Sequence, residues 1–359
     1  MSTNAHITIT DTAIGTLRAT QIPTLKPGHQ EVLVKVAYSS VVPPDAVIAA
    51  FRSSTSGDDG PALLAHSVSG IVTKVGDGTK NMKRGNKVCG FTLTRTGLQE
   101  YAILPQSTCA QVPENLPLDD VVTILDSFVT AFYTLFYRLK LPIPTLPASS
   151  PPEDVDKPIL IYGAGTTPGQ YAVQLLKLAG YTNVIATSSS DHHDSLRSLG
   201  AKHTIDYEAP DVAKQIASAA CGKLGLAMDC LSTEGTLKII SQVVRTSATV
   251  AILLPVKEGD SIAATDSGLM WMGLPPNRNP FKKGRVKVVG VKAYGFQENK
   301  YLKAKLMPEI LPQLLGKGLI KPDKARVFNE GSFMQRVEKA LELLRSGEVS
   351  REKVVVKVG

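Results

Sequence analysis

The sequence predicts an α/β protein in which a doubly wound parallel sheet adjoins a second, mainly β domain. Three observations predict it. The stretch "ILIYGAGTTPGQYAVQLLKLAG" (159–180) has the shape of a strand, a glycine turn and a helix. Strands and helices alternate after it, as in a parallel sheet with helical crossovers. Before it, strand-like segments with turn signals follow one another, up to the polar, proline-rich break "SSPPEDVDKP" (149–158). A chain of 359 residues usually makes two domains.

In the first region the strand candidates are "HITIT", "EVLVKVAYSS", "SGIVTKVG", "NKVCGFT" and "LQEYAILP". In the second, Ile159, Leu160 and Ile161 form a short apolar run that suits a buried parallel strand. The next helix carries Ala172, Leu175, Leu176 and Ala179 at i, i+3, i+4, i+7, and Gly180 ends it. Further strands are predicted over 183–189, 203–207, 224–232, 249–255 and 285–294, with helices near 191–200, 210–221 and 234–244. A helix near 300–316 follows. Another over 332–346 puts Phe333, Val337, Ala340, Leu341 and Leu344 on one face. The closing "KVVVKV" is a strand that must pair, plausibly back in the first β region.

The glycine turn is the first functional candidate. Gly163, Gly165 and Gly169 allow positive φ and close backbone approach, and Pro168 fits the first helical turn. A helix opening there presents N–H groups and a positive dipole end to a pyrophosphate. Thr166 and Thr167 add hydroxyl donors. A bare strand-to-helix turn has the same pattern, so the alternating context decides for a dinucleotide site. Sites for NAD place an acid near the end of the second strand, against the ribose 2′-hydroxyl. Here that end reads Thr187-Ser188-Ser189-Ser190, with no acid before Asp191. Hydroxyls suit a 2′-phosphate, and Arg197 follows about one helical turn later, so the expected cofactor is NADPH. The serine run also fits a helix N-cap with Asp191.

Composition narrows the function classes. With 43% hydrophobic residues the chain can bury real cores. No stretch of about 18 apolar residues stands out, so no membrane span is expected, and the polar start "MSTNAHITIT" lacks a signal peptide's apolar segment. The four cysteines, 89, 109, 221 and 230, show no C-x-x-C spacing and read as reduced residues of a cytoplasmic chain. The net charge of +8 is scattered along the chain. That argues against nucleic acid and for a solvated basic surface suited to an acidic cofactor or carrier partner.

"PGHQEVLVKV" (27–36), "VPPDAV" (42–47), "HSVSGIVTKVG" (66–76), "KRGNKVCGF" (83–91), the glycine turn and "LGAKHTIDY" (199–207) resemble the medium-chain dehydrogenase/reductase superfamily over nearly the whole chain. Within it, the chain is most similar to the zinc-free quinone and enoyl reductases, and above all to fungal trans-acting, ToxD-like enoyl reductases. The resemblance implies a GroES-like domain (1–122 and 297–359) closed by the last strand, around a Rossmann domain (123–296). It also implies hydride transfer from NADPH to the C=C bond of an enone, free or carrier-bound, with a polyketide synthase as partner. The alternatives are an NADPH-dependent quinone or carbonyl reductase, and a non-catalytic NADPH-binding protein.

The resemblance places Thr166, Thr167, Pro168 and Gly169 under the pyrophosphate. It puts Ser188, Ser189, Ser190, Asp191 and His192 around the adenosine ribose, with Tyr207 at the same phosphate. Tyr207 also fits a strand-end aromatic in the core. Leu253 and Leu254 are expected to approach the nicotinamide through their backbone, and Lys353 to stand near the cofactor. Asp45 is placed in the cleft, although a helix N-cap explains it equally well. No metal is expected: His66 falls at the superfamily's histidine position, but no cysteine stands near 42–45 and Ser67 replaces the glutamate. The enoyl reductase pattern "PxDWK" becomes Asp45-Ala46-Val47 here, so its lysine is gone. Water, the cofactor's ribose hydroxyl, or Ser127, Thr130 or Tyr133 in "DSFVTAFY" are substitutes for proton donation, although those three residues also fit one face of an amphipathic helix. Val47, Phe128, Trp271 and Met272 are candidates for the substrate pocket. Charges at Arg285, Lys287 and Lys292 on the outer strand of the sheet predict a monomer.

Overall fold

The computed structural model describes residues 5–11, 16–43, 45–46, 64–92, 96–260, 269–281, 285–349 and 352–359. Contacts divide the chain into two compact units: Met1–Leu125 with Gln297–Gly359, and Asp126–Phe296.

The first unit is built on a mixed sheet with the order Lys324–Phe328, Glu352–Lys357, Glu31–Val41, Ser67–Val75, Lys87–Phe91, Cys109–Gln111, and Tyr101–Pro105 also pairs with Glu31–Val41. The last strand does return to the first β region. It runs antiparallel to Glu31–Val41, from Val354 opposite Val41 to Lys357 opposite Tyr38. One core lies between Val32, Val34, Val36, Val68, Val88 and Leu104. A second forms where the helix Phe333–Ser346 lays Val337, Ala340, Leu341 and Leu344 on Val41, Ala46, Val354 and Val356. That helix starts with a capping box between Ser332 and Gln335 and stops at Gly347, whose φ of 73° suits glycine.

Sequence patterning missed three strands here. Leu17–Pro23, paired only with Ala5–Asp11, is mostly exposed and so shows no apolar alternation. Cys109–Gln111 is too short to show a period, and Lys324–Phe328 is a half-exposed edge strand.

The second unit is a six-stranded parallel sheet in the order His203–Asp206, Val184–Ser188, Ile159–Tyr162, Leu224–Asp229, Val244–Leu253, Lys287–Val291. The strand order reverses direction between Ile159–Tyr162 and Leu224–Asp229, and the crevice at their carboxyl ends is where such sheets bind ligands. Leu160, Ile185, Ala227, Val250 and Ile252 from the strands meet Ile216, Leu237 and Ile240 from the helices Val212–Ala219 and Glu234–Val243. The helix Thr167–Leu178 buries Ala172, Leu175 and Leu176, as its spacing predicts. A two-stranded ribbon, Val256–Lys257 with Met270–Trp271, was not foreseen because two-residue strands carry no pattern.

One helical run, Leu118–Arg138, is long and apolar enough to cross a membrane by length and composition, contrary to the sequence expectation. Its apolar window is 83% buried within the protein, as befits a core helix.

Candidate dinucleotide site

The glycine turn sits at the reversal of strand order, at the carboxyl end of the buried strand Ile159–Tyr162. Gly163 has a φ of 76°, and a Cβ there would come within 2.6 Å of Leu231. Gly165 and Gly169 are not in the left-handed region, so their reasons differ from Gly163's. A Cβ on Gly165 would lie 3.1 Å from the His192 ring and 3.3 Å from Ser188 Cβ. One on Gly169 would lie 2.6 Å from Ala164 Cα and 2.7 Å from the Gly163 carbonyl. Gly169 is buried and lets the helix pack on the turn.

The hydroxyls expected to donate to phosphate are turned inward instead. Thr166 caps the helix: its Oγ1 donates to the Gly163 carbonyl (2.8 Å) and accepts from Gly169 N–H (3.3 Å). Thr187 Oγ1 accepts from Gly163 N–H at 3.0 Å. Thr167 Oγ1 is bonded to Ser127 Oγ at 2.7 Å. Pro168 occupies the first helical turn, where no N–H is needed. Among the described residues nothing accepts from the N–H groups of Gly165 or Thr167. Two free backbone donors at a helix N-terminus fit a pyrophosphate.

At the neighbouring strand end, Ser188 is buried and its Oγ donates to the Ser189 carbonyl at 2.9 Å. Ser189 starts a single helical turn, Ser190–His192, without capping it through its side chain. Ser190 is exposed and His192 half-buried beside Gly165. Tyr207 donates its N–H to the Ser188 carbonyl at 3.2 Å, and its ring packs partly on the core. Burial, then Glu208 and Asp206, push its phenol above the ordinary range, so it stays protonated and able to donate. The Asp206 carboxylate is engaged with Glu208 N–H at 3.0 Å. Ser188, Ser189, Ser190, His192 and Tyr207 thus gather beside Gly165. Arg197 does not join them: it pairs with Asp194 at 2.7 Å and lines a groove with Asn183 and Lys202, residues that flank the opposite ends of those strands.

The alcohol dehydrogenase GroES-like domain family matches residues 28–114, and the zinc-binding dehydrogenase family matches residues 169–271. The trans-enoyl reductase TOXD of Cochliobolus carbonum is 32% identical over 218 residues, 58% of this chain and 70% of TOXD. The enoyl reductase component lovC of lovastatin nonaketide synthase, from Aspergillus terreus, is 27% identical over 310 residues, covering 83% of this chain and 82% of lovC. The chain belongs to the medium-chain dehydrogenase/reductase superfamily. The crystal structure of the CurK enoyl reductase superposes with a TM-score of 0.74 at 19% identity, over 98% of each chain, and shares this fold.

In this member of the superfamily, several predicted residues prove structural. Phe128 is fully buried, edge-on to Tyr171 and tilted against Phe132, so it belongs to the core and not to a pocket wall. Ser127, 1% exposed and bonded to Thr167, braces the glycine turn instead of standing free as an acid. Thr130 is buried, and its carbonyl accepts from Thr134 Oγ1 at 2.6 Å. Tyr133 is buried and stacked on Tyr137. Trp271 is half-buried with Arg278 over its ring, while Met272 is exposed beside it. Leu253 ends its strand half-buried, and Leu254 N–H donates to the Val291 carbonyl at 3.1 Å.

Asp229 carries a role that the sequence reading missed. It ends the fourth strand, fully buried, and its carboxylate accepts from Leu231 N–H (3.0 Å), Ser232 N–H (2.9 Å) and Thr236 Oγ1 (2.5 Å). Burial raises its pKa to about 6, against the lowering effect of those bonds. It fixes the loop opposite the glycine turn, including Leu231, which packs at Gly163. The run "DCLST" carried the signal: an acid followed by donors two and three residues on.

In the first unit, Asp45 is 3% exposed, and its carboxylate accepts from Val42 N–H at 2.8 Å and Ala65 N–H at 3.0 Å. Those bonds tie Val42 to Ala65 through Asp45, whereas a helix N-cap accepts from N–H groups two or three residues after it, so they are not the bonds of the capping alternative. Val47 lies outside the described residues. His66 Nδ1 is 3.0 Å from the Thr92 carbonyl, and no group of three or more His, Cys, Asp or Glu side chains among the described residues is placed to hold a metal. Lys353 is 9% exposed and has no ion-pair or hydrogen-bond partner among the described residues. Ser40, opposite Val355 on the adjacent strand, has a buried Oγ that is likewise unpartnered. Lys353 and Ser40 lie two positions apart on the same sheet face.

Proposed function

We propose that this enzyme is an NADPH-dependent enoyl reductase. Its substrate is an α,β-unsaturated thioester held on the carrier of a polyketide synthase. The observation that carries the reading is the cradle of Gly163, Gly165 and Thr167 beside a second strand that ends in hydroxyls without an acid. NADPH, when bound, supplies the hydride that adds to the β-carbon. Gly165 and Thr167 N–H bind the pyrophosphate, and Ser189, Ser190, His192 and Tyr207 take the 2′-phosphate as donors. Thr166, Thr187 and Ser127 hold the cradle in shape. Negative charge then grows on the carbonyl oxygen of the substrate, and a proton reaching the α-carbon completes the saturated product. The lovC likeness, to a component of a nonaketide synthase, supports the synthase partner and a place in fungal secondary metabolism. The enzyme works in the cytoplasm without zinc, as a monomer, since Lys287 on the outer strand disfavours edge pairing.

Fluorescence titration tests the cofactor, with NADPH expected to bind at least about tenfold tighter than NADH, about 1.4 kcal/mol. Steady-state oxidation of NADPH with crotonyl-pantetheine, a quinone and an aldehyde tests the reaction. Equal affinities overturn the cofactor assignment, and turnover of the quinone or aldehyde alone overturns the reaction.

A further inference from the structure

Arg197 belongs to a groove that the proposed reaction does not use. It has a volume of about 850 Å³ and is lined by Arg197 and Lys202 and by Lys214, Gln215 and Ser218 of the helix Val212–Ala219. Its floor is the strand His203–Asp206, which lies at the edge of the parallel sheet and pairs on one side only, with Val184–Ser188. Edges of this kind accept an additional extended chain unless something covers or blunts them. Two wall residues have unmet polar atoms. Thr204 Oγ1 and Asn183 Oδ1 are buried and have no hydrogen-bond partner among the described residues. Groups so left are costly, and an incoming polar chain relieves that cost with a small side-chain turn.

The charges set the sign of the occupant. Lys202 and Lys214 are exposed and have no salt-bridge partner among the described residues. Among the described residues Arg197 pairs only with Asp194, whose side chain is 99% exposed, so solvent screens that pair. The one acid in the lining is Asp211, and Gln215 Nε2 donates to it at 2.7 Å. Burial and the Lys202 charge hold His203 below the ordinary histidine range, so it adds a neutral donor or acceptor at pH 7. Three cations against one acid, along an open strand edge, fit an acidic extended peptide better than an apolar helix.

We infer that this groove docks an acidic, extended segment of the protein that delivers the substrate. The identity of that partner rests on the proposed carrier-bound reaction; the anionic peptide chemistry of the groove does not. The segment lies along His203–Asp206, with its carboxylates on Lys202 and Lys214. Such docking raises the local concentration of a tethered substrate without touching the chemical step.

The test uses the full chain and a fluorescein-labelled octaglutamate peptide as the probe, read by anisotropy at low and moderate salt. The double variant Lys202→Glu/Lys214→Glu is expected to weaken binding at least tenfold, and Lys202→Gln/Lys214→Gln less. The control Lys74→Glu/Lys83→Glu, which changes two exposed lysines of the first unit, is expected to change it less than twofold. Cys221 also lines the groove and is exposed, so bound peptide is expected to slow its alkylation by a maleimide, followed by peptide mapping. Both charge-reversal variants are expected to keep NADPH affinity and turnover of crotonyl-pantetheine. Loss of that turnover in the unmodified enzyme strikes the proposed function and leaves the peptide result standing. Absence of peptide binding, equal weakening by the control variant, unchanged Cys221 alkylation, or tighter binding of a single-stranded oligonucleotide of equal charge overturns the docking groove.

Discussion

Two glycines in the same turn are expected to fail in different ways. An alanine Cβ at Gly169 would lie 2.6 Å from Ala164 Cα and 2.7 Å from the Gly163 carbonyl. Both are backbone atoms of the turn, so no side chain can rotate away and the helix must lift off the strand. Overpacking of this kind costs about 1–3 kcal/mol. For a unit of this size, about 2 kcal/mol lowers Tm by roughly 4–8 °C. An alanine at Gly165 meets mainly the His192 ring, at 3.1 Å, which can swing aside, and its φ is open to any residue. Gly165→Ala is therefore expected to keep Tm within about 2 °C. It still places a methyl group against His192 and Ser188, beside the residues proposed to meet the cofactor. Its NADPH affinity is expected to fall about tenfold or more, roughly 1.4 kcal/mol. Scanning calorimetry without cofactor and fluorescence titration with it separate the two effects. Unchanged NADPH affinity in Gly165→Ala, on a protein of normal Tm, would show that this turn cradles no phosphate. An unchanged Tm in Gly169→Ala would show that the helix does not pack as described.

Two further outcomes follow from the site. Asp229 has its folded pKa raised to about 6 by burial, above its unfolded value, so the folded state binds the extra proton between about pH 4 and pH 6. Its stabilising contribution is present below the unfolded pKa and is lost as pH rises through the folded one. Stability relative to Asp229→Asn, read from urea midpoints, is therefore expected to decline from pH 4 to pH 6.5, and a gap that ignores pH would overturn the assignment. Dialysis against a chelator is expected to leave enone turnover intact and the mass by light scattering near 38.3 kDa, whereas stoichiometric zinc or a doubled mass would contradict the proposed zinc-free monomer.

The fold was legible where burial imposes a period. Strand Ile159–Tyr162 is buried throughout and reads as an unbroken apolar run, and helix Phe333–Ser346 alternates at helical spacing because one face meets the sheet. Leu17–Pro23 left no trace, since a ribbon exposed on most positions imposes no pattern. The site was legible at the level of its motif and less so at the level of its atoms. "GAGTTPG" marks the turn, but residue type does not tell which way a hydroxyl points. Arg197 shows the same limit: a basic residue one turn past the strand end fits a phosphate by sequence distance, yet the helix His193–Leu199 carries it back along the sheet to the groove beside Asn183. Asp229 and Ser127 went unrecognised as braces because their partners, Thr236 and Thr167, are set by tertiary packing.

The inward turn of those hydroxyls bears on how the site works. Thr187 accepts from Gly163 N–H, Thr166 spans the Gly163 carbonyl and Gly169 N–H, and Thr167 is tied to Ser127. Each closes a bond within the turn, so none of their oxygens needs to reorganise when an anion arrives. The N–H groups left over, at Gly165 and Thr167, are held by the same bonds that consume their neighbours. Donors fixed in advance lose little entropy on binding, so a cradle of only two free N–H groups can still hold a doubly charged ligand at a helix N-terminus. The threonines expected to donate to the phosphate thus serve the shape of the turn, and the backbone is left to meet it.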